Sequence, residues 1–188
     1  MSRFVDRGAV AAGWVGVGMA MTIAVSFLLV VPIEPVFWLM APFAGLIIGY
    51  YANSRAGRTG PWGRILLNGL YAGGLTAVTL AVLFLGTKAI FFYGDSGYPL
   101  SKQGGPLEGC APGPPCVYAR YLQQGQGPAF ETAGVRSVDD FTALYWREQL
   151  GTAGTVLLLC AAGGLGGAFV YGLVRPKAAP AAPVAAPA

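Results

Sequence analysis

The stretch ILLNGLYAGGLTAVTLAVLFLGTKAIFFY, residues 65–93, decides the fold. It is 29 residues long with a single charge, Lys88. A helix needs about 20 apolar residues to cross the hydrocarbon core of a bilayer. This run exceeds that length, so as a helix it tilts or extends past the bilayer. Three more apolar runs stand around it: Gly8–Val31, Val36–Tyr51 and Leu150–Val174. The first has 24 residues, too long for a signal-peptide core, and lacks a cleavage motif, so it reads as an uncleaved span. The second has 16 and contains Pro42, which removes one ladder hydrogen bond but is tolerated within a bundle. Composition agrees. The chain is 55% hydrophobic and 11% charged, with mean hydropathy +0.58. Soluble domains carry about 25% charged residues.

The expected fold class is an all-α integral membrane protein, a four-transmembrane-helix bundle with a large extracytoplasmic loop between helices 3 and 4. Its segments are an N-terminus over 1–7, spans over 8–31, 36–51 and 65–93, an outer loop over 94–149, a span over 150–174 and a Pro/Ala tail over 175–188. Charge gives the direction. Arg3, Arg7, Arg55, Arg58, Arg64, Arg175 and Lys177 fall on one side of a four-span chain, opposed only by Asp6. Excess Lys and Arg in short segments marks the cytoplasmic side. Both termini are therefore expected in the cytoplasm, and the protein in a bacterial cell membrane, with the lipid bilayer as its first partner.

Small residues recur every four positions along the spans, which places them on one helix face. Gly8, Ala12, Gly16, Ala20 and Ala24 do so on the first, Gly45 and Gly49 on the second. Gly69, Gly73, Ala77 and Ala81 do so on the third, Gly163 and Gly167 on the fourth. Lipid gives helices no hydrophobic drive to associate, so small-residue seams that let backbones approach are the expected packing device.

The polar interruption holds six of the eight acidic residues and two of the three cysteines. Cys110 and Cys116 enclose Ala-Pro-Gly-Pro-Pro and are expected to form a disulfide on an oxidising face. Cys160 lies within the fourth span and reads as a buried, inert thiol. Gly94–Gly109 reads as loop and Val117–Gln124 as one or two helical turns. Ser137-x-x-Asp140 matches a capping box, and Phe141, Leu144, Tyr145 and Glu148 follow at helical spacing. A helix is expected to start near Val138 and run into the fourth span. Phe141, Leu144 and Tyr145 either cover the outer mouth of the bundle or offer a surface to another membrane or extracytoplasmic protein, which would bind through residues 94–148.

The chain has no histidine, which removes Ser-His-Asp chemistry, His-ligated haem and His-containing zinc sites. No cofactor, metal site or catalytic group set is expected, and no basic run points to nucleic acid. Gly163-Gly164-Leu165-Gly166-Gly167 lies inside an apolar run and not after a soluble strand, so it is no phosphate loop. Lys88 is the most embedded charge, and Glu34 lies at the same level, so an ion pair between them is expected. The layout, with a short first outer loop and a large second one bearing cysteines, is similar to that of the tetraspanins in architecture alone. The insert lacks their Cys-Cys-Gly motif, and no family is assigned. The functional expectation is a non-enzymatic accessory or assembly subunit whose outer loop contacts a partner. The alternative is a small transporter or channel subunit, motivated by Lys88, Pro42 and the Gly-rich spans.

Overall fold

A computed structural model describes residues 5–30, 34–56, 60–94 and 110–175. These residues are helical, with no strand among them. Helix α1 spans Arg7–Ala24 and continues as a π-helical segment, Val25–Val30. Helix α2 is Glu34–Ala56, α3 is Trp62–Gly94, α4 is Pro114–Gln123, α5 is Gly127–Thr132 and α6 is Val138–Val174. Four of these, α1 with its extension, α2, α3 and α6, are long and apolar enough to cross a membrane.

Helices α2, α3 and α4 differ in their bounds from the sequence reading, whereas α6 starts at Val138 as expected. Helix α2 does not stop at Tyr51 but runs through Pro42 and on to Ala56. No Gly or Pro stands between Tyr51 and Gly57. Ala52 and Asn53 are also buried, so packing holds a turn that hydropathy reads as loop. Helix α6 is one unbroken element of 37 residues, and its polar beginning and apolar remainder share a single axis of hydrogen bonding. Its first turn is fixed by Ser137, whose Oγ accepts the Asp140 backbone N–H at 3.1 Å. The expected turns near Val117 form as α4, three residues earlier, because Pro114 and Pro115 suit the first helical positions, where no N–H is needed.

Helix α6 packs along α2 and α3; α1 packs against the same pair, across it from α6. The seam glycines explain how close these crossings are. A Cβ on Gly49 would overlap the carbonyl oxygen of Gly164, and one on Gly73 would stand 2.7 Å from the Gly164 Cα. Backbone cannot move aside as a flexible side chain does. Gly45 faces the Cys160 carbonyl, Gly163 that of Pro42 and Gly167 that of Leu46, so these positions form the α2–α6 crossing. Gly69 meets Ala168 on the α3–α6 crossing, and Gly16 meets Thr76 between α1 and α3. Helix α6 thus uses two adjacent small faces: Gly163 and Gly167 toward α2, Gly164 and Ala168 toward α3. Between the helices, Leu80, Phe84, Val156 and Cys160 are fully buried, and Phe37 stacks on Phe84 with centroids 5.7 Å apart. The Cys160 S–H points to the Gly73 carbonyl at 3.7 Å, tying α6 to α3.

Large apolar side chains face outward along all four long helices, among them Trp14, Leu39, Val82, Ile90, Leu158 and Leu173. In water, so wide an apolar exterior would drive aggregation; in lipid it is the solvated surface.

Candidate functional site

The two ends of the bundle hold the polar and aromatic groups that hydropathy does not explain. At one end, α4, α5 and the beginning of α6 form a small module seated on α3. Phe92, Val117, Phe130, Val135 and Phe141 are its buried core. Phe92 stacks on Tyr145 with centroids 4.3 Å apart and on Phe141 at 6.1 Å. Phe141 also meets Tyr118 at 5.1 Å and Phe130 at 5.4 Å, which joins all four helical elements of this end through one ring. Each aromatic pair contributes about 0.5–1.5 kcal/mol beyond the area it buries. At its edge, the Trp146 Nε1–H donates to the Tyr93 hydroxyl at 3.2 Å, and both rings stack.

Phe141 is 2% exposed and offers no surface to a partner; Leu144 and Tyr145 pack partly buried against the same cluster. The three cover the end of the bundle. Helical spacing puts Phe141, Leu144 and Tyr145 on one face of α6, and that face packs against the cluster built with α3, α4 and α5.

Two features of the module stand beside its core. The sulfur atoms of Cys110 and Cys116 lie at disulfide-bonding distance, with Cα atoms 5.5 Å apart. Arg120, one of five basic residues from Lys88 to Arg147 in the sequence, is 5% exposed. Its Nη2 lies 4.0 Å from the Cys116 sulfur, one helical turn away on α4. At the start of α6, the Arg136 backbone N–H donates to Asp140 Oδ2 at 3.1 Å, reciprocating the Ser137 cap. The Arg136 N–H first, then the Ser137 hydroxyl, hold the exposed Asp140 carboxyl below its ordinary value of 3.8. Lys88 is half-buried at the same end of α3, its Nζ 5.5 Å from the centre of the Phe84 ring. The side chain of its expected partner, Glu34, lies outside the described residues, as do the stretch 95–109 and the tail from 176.

The other end carries an amide network. Asn68 Nδ2 donates to Asp6 Oδ2 at 3.1 Å and to Asn53 Oδ1 at 3.3 Å, while Asn68 Oδ1 accepts the Asp6 backbone N–H at 3.1 Å. Asn53 Nδ2 donates to the Gly49 and Ile65 carbonyls, both at 3.1 Å. Both carboxamides use both donor hydrogens and their oxygen, so α1, α2 and α3 are pinned together at 2% exposure of either asparagine. In the sequence Asn68 lies within the 65–93 run, whereas Asn53 falls between the second and third apolar runs and Asp6 counts only as a charge. The signal that finds Asn53 is the helix continuing past Tyr51. Beside the network, Arg175 donates to the Gly60 carbonyl and lies over the Trp62 ring, 5.7 Å from its centroid.

No cluster of three or more metal-ligating side chains occurs among the described residues. No protein-family model matches the chain, and neither a curated protein nor a solved structure shows significant similarity to it.

Proposed function

We propose that the protein is a non-catalytic multi-pass membrane protein, an accessory or assembly subunit that holds the α4–α6 module at the surface of the bilayer for a partner. In this reading both termini and the 52–64 segment are cytoplasmic, by the excess of Arg and Lys there. The module then stands outside the cytoplasm, in the bacterial periplasm or beyond it, where Cys110 and Cys116 meet oxidising conditions.

The observation that carries the reading is how completely the bundle is filled. Backbone touches backbone at Gly49, Gly73 and Gly164. The middle is occupied by Leu80, Phe84 and Val156, one end by the Phe92–Phe141 cluster and the other by the Asn53–Asn68–Asp6 network. A transporter needs a polar site near the midplane that opens alternately to each side. Here the buried asparagines sit at one end and bind each other and Asp6, while the mid-span hydroxyls of Thr76 and Thr79 donate to the Ala72 and Leu75 carbonyls of their own helix. Lys88 stands in the last two turns of α3, its Nζ over the ring of Phe84 one turn earlier, a cation–π contact that ties it to the filled core.

The test uses the full chain. It is tagged after Lys177, purified from its native membrane in mild detergent, and the same preparation is placed in liposomes for ion and solute flux. A stoichiometric partner, lost when exposed α4 residues such as Leu122 and Gln123 are changed to Asp and Lys, is the expected result. Isolation as a lone monomer, or specific flux, overturns the reading.

A further inference from the structure

The Cys110–Cys116 pair is placed unlike a bond that only staples a loop. Cys116 is 3% exposed, in the first turn of α4, while Cys110 is partly exposed outside the helix. Arg120 lies four residues after Cys116, on the same face of α4, with its guanidinium buried against the Cys116 sulfur at 4.0 Å. The start of α4 supplies little else. Pro114 and Pro115 have no N–H, and the Cys116 N–H is turned back to the Gly113 carbonyl at 3.1 Å. The other described charges of α5 and α6 at this end, Glu131, Arg136, Asp139, Asp140, Arg147 and Glu148, are all solvent-exposed, and the half-buried Lys88 of α3 lies over the Phe84 ring. Among the described charges, the one in contact with the Cys116 sulfur is that of Arg120.

We propose that Cys110–Cys116 is an exchangeable, redox-active disulfide whose substrate is a dithiol protein, with Cys110 the sulfur attacked and Cys116 the leaving thiolate held by Arg120. The incoming thiolate forms a bond to the Cys110 sulfur as the Cys110–Cys116 bond breaks, and the electron pair passes to Cys116. The second thiol of the partner then attacks its own mixed-disulfide sulfur and releases Cys110. Two electrons and two protons move from the dithiol to the pair, and the partner leaves as a disulfide. In the reverse direction a partner disulfide is reduced. A low-lying thiolate makes the better leaving group, and a guanidinium at this distance supplies it. Val117, the next residue, belongs to the aromatic cluster, so opening the ring also loosens the module where it meets Phe92. The proposal does not depend on the accessory-subunit reading, which would stand with an inert disulfide.

The experiment is a redox titration of the full chain in detergent micelles with reduced and oxidised dithiothreitol, read by maleimide gel shift. Buried Cys160 serves as a constant background. Half-reduction is expected at a dithiol ratio about tenfold lower in wild type than in Arg120→Gln, since an opposite charge at this range lowers a thiol pKa by about one unit or more. Arg120→Lys keeps part of the effect. A second measurement does not need the Arg120 variants to fold: in Cys110→Ser, the Cys116 thiol should titrate below the ordinary 8.5 by thiolate absorbance. Cys116→Ser should accumulate a mixed disulfide on Cys110. A wild-type bond that resists a large excess of dithiothreitol, an unchanged midpoint in Arg120→Gln, or a Cys116 thiol at or above 8.5 overturns the proposal.

Discussion

Replacing Asn68 with Ala should cost more stability than replacing Asn53 with Ala, though both asparagines are equally buried and of one type. The difference follows from what each deletion leaves behind. Asn53→Ala withdraws donors from the Gly49 and Ile65 carbonyls, which sit inside helices and keep their own ladder bonds, and removes the acceptor of one Asn68 Nδ2–H. Asn68→Ala withdraws the partner of the Asp6 N–H, of Asp6 Oδ2 and of the buried Asn53 Oδ1 together. Interhelical side-chain hydrogen bonds in membranes average about 0.6 kcal/mol and reach about 1.7. A buried group left without its partner costs about 1–3 kcal/mol. Asn68→Ala should therefore lose about 2–3 kcal/mol and Asn53→Ala about 1 kcal/mol. The assay is reversible unfolding in mixed micelles, followed by helical circular dichroism. A double-mutant cycle of Asp6→Ala with Asn68→Ala isolates the carboxylate bond, and a coupling of about 0.6–1.7 kcal/mol is expected. An Asn53→Ala loss equal to or above that of Asn68→Ala, or a coupling of zero, would refute the reasoning.

Other outcomes follow from the same geometry. Gly73→Leu should abolish monodisperse folded protein by gel filtration, because its Cβ meets Gly164 backbone, whereas Gly74→Leu, with open space at its Cβ, should behave as wild type. Phe141→Ala should destabilise the module by about 3–5 kcal/mol, seen as faster proteolysis after residue 110 with the bundle intact. Ser137→Ala should cost about 1 kcal/mol through loss of the α6 cap. Asp140 has its pKa lowered on folding, so its contribution is present above the ordinary value of 3.8 and is lost as pH falls through the lower folded value. Hydrogen exchange at the start of α6 should accelerate over that acid window, and Asp140→Asn should remove the dependence.

The four long helices, their order and the start of the last at Ser137 were legible in the sequence, because hydropathy, capping and helix periodicity are properties of neighbouring residues. Spacing of four also placed small residues on shared faces. What remained hidden depends on which face meets which neighbour. That Gly163 and Gly167 serve α2 while Gly164 and Ala168 serve α3 is decided by the position of α6 against both helices. That Asn53 belongs to a helix and not a loop is decided by a carbonyl and an amide on α3. Phe141 had the pattern of a docking residue, and only the arrival of Phe92, Tyr118 and Phe130 turned it into core. The sequence by itself determined that this chain forms long apolar helices suited to a bilayer, because that preference sums over local residues. The tertiary structure alone decided which polar groups satisfy one another across the bundle and that the Arg120 guanidinium is buried, because burial and partner choice exist only once separate helices are brought to the same point in space.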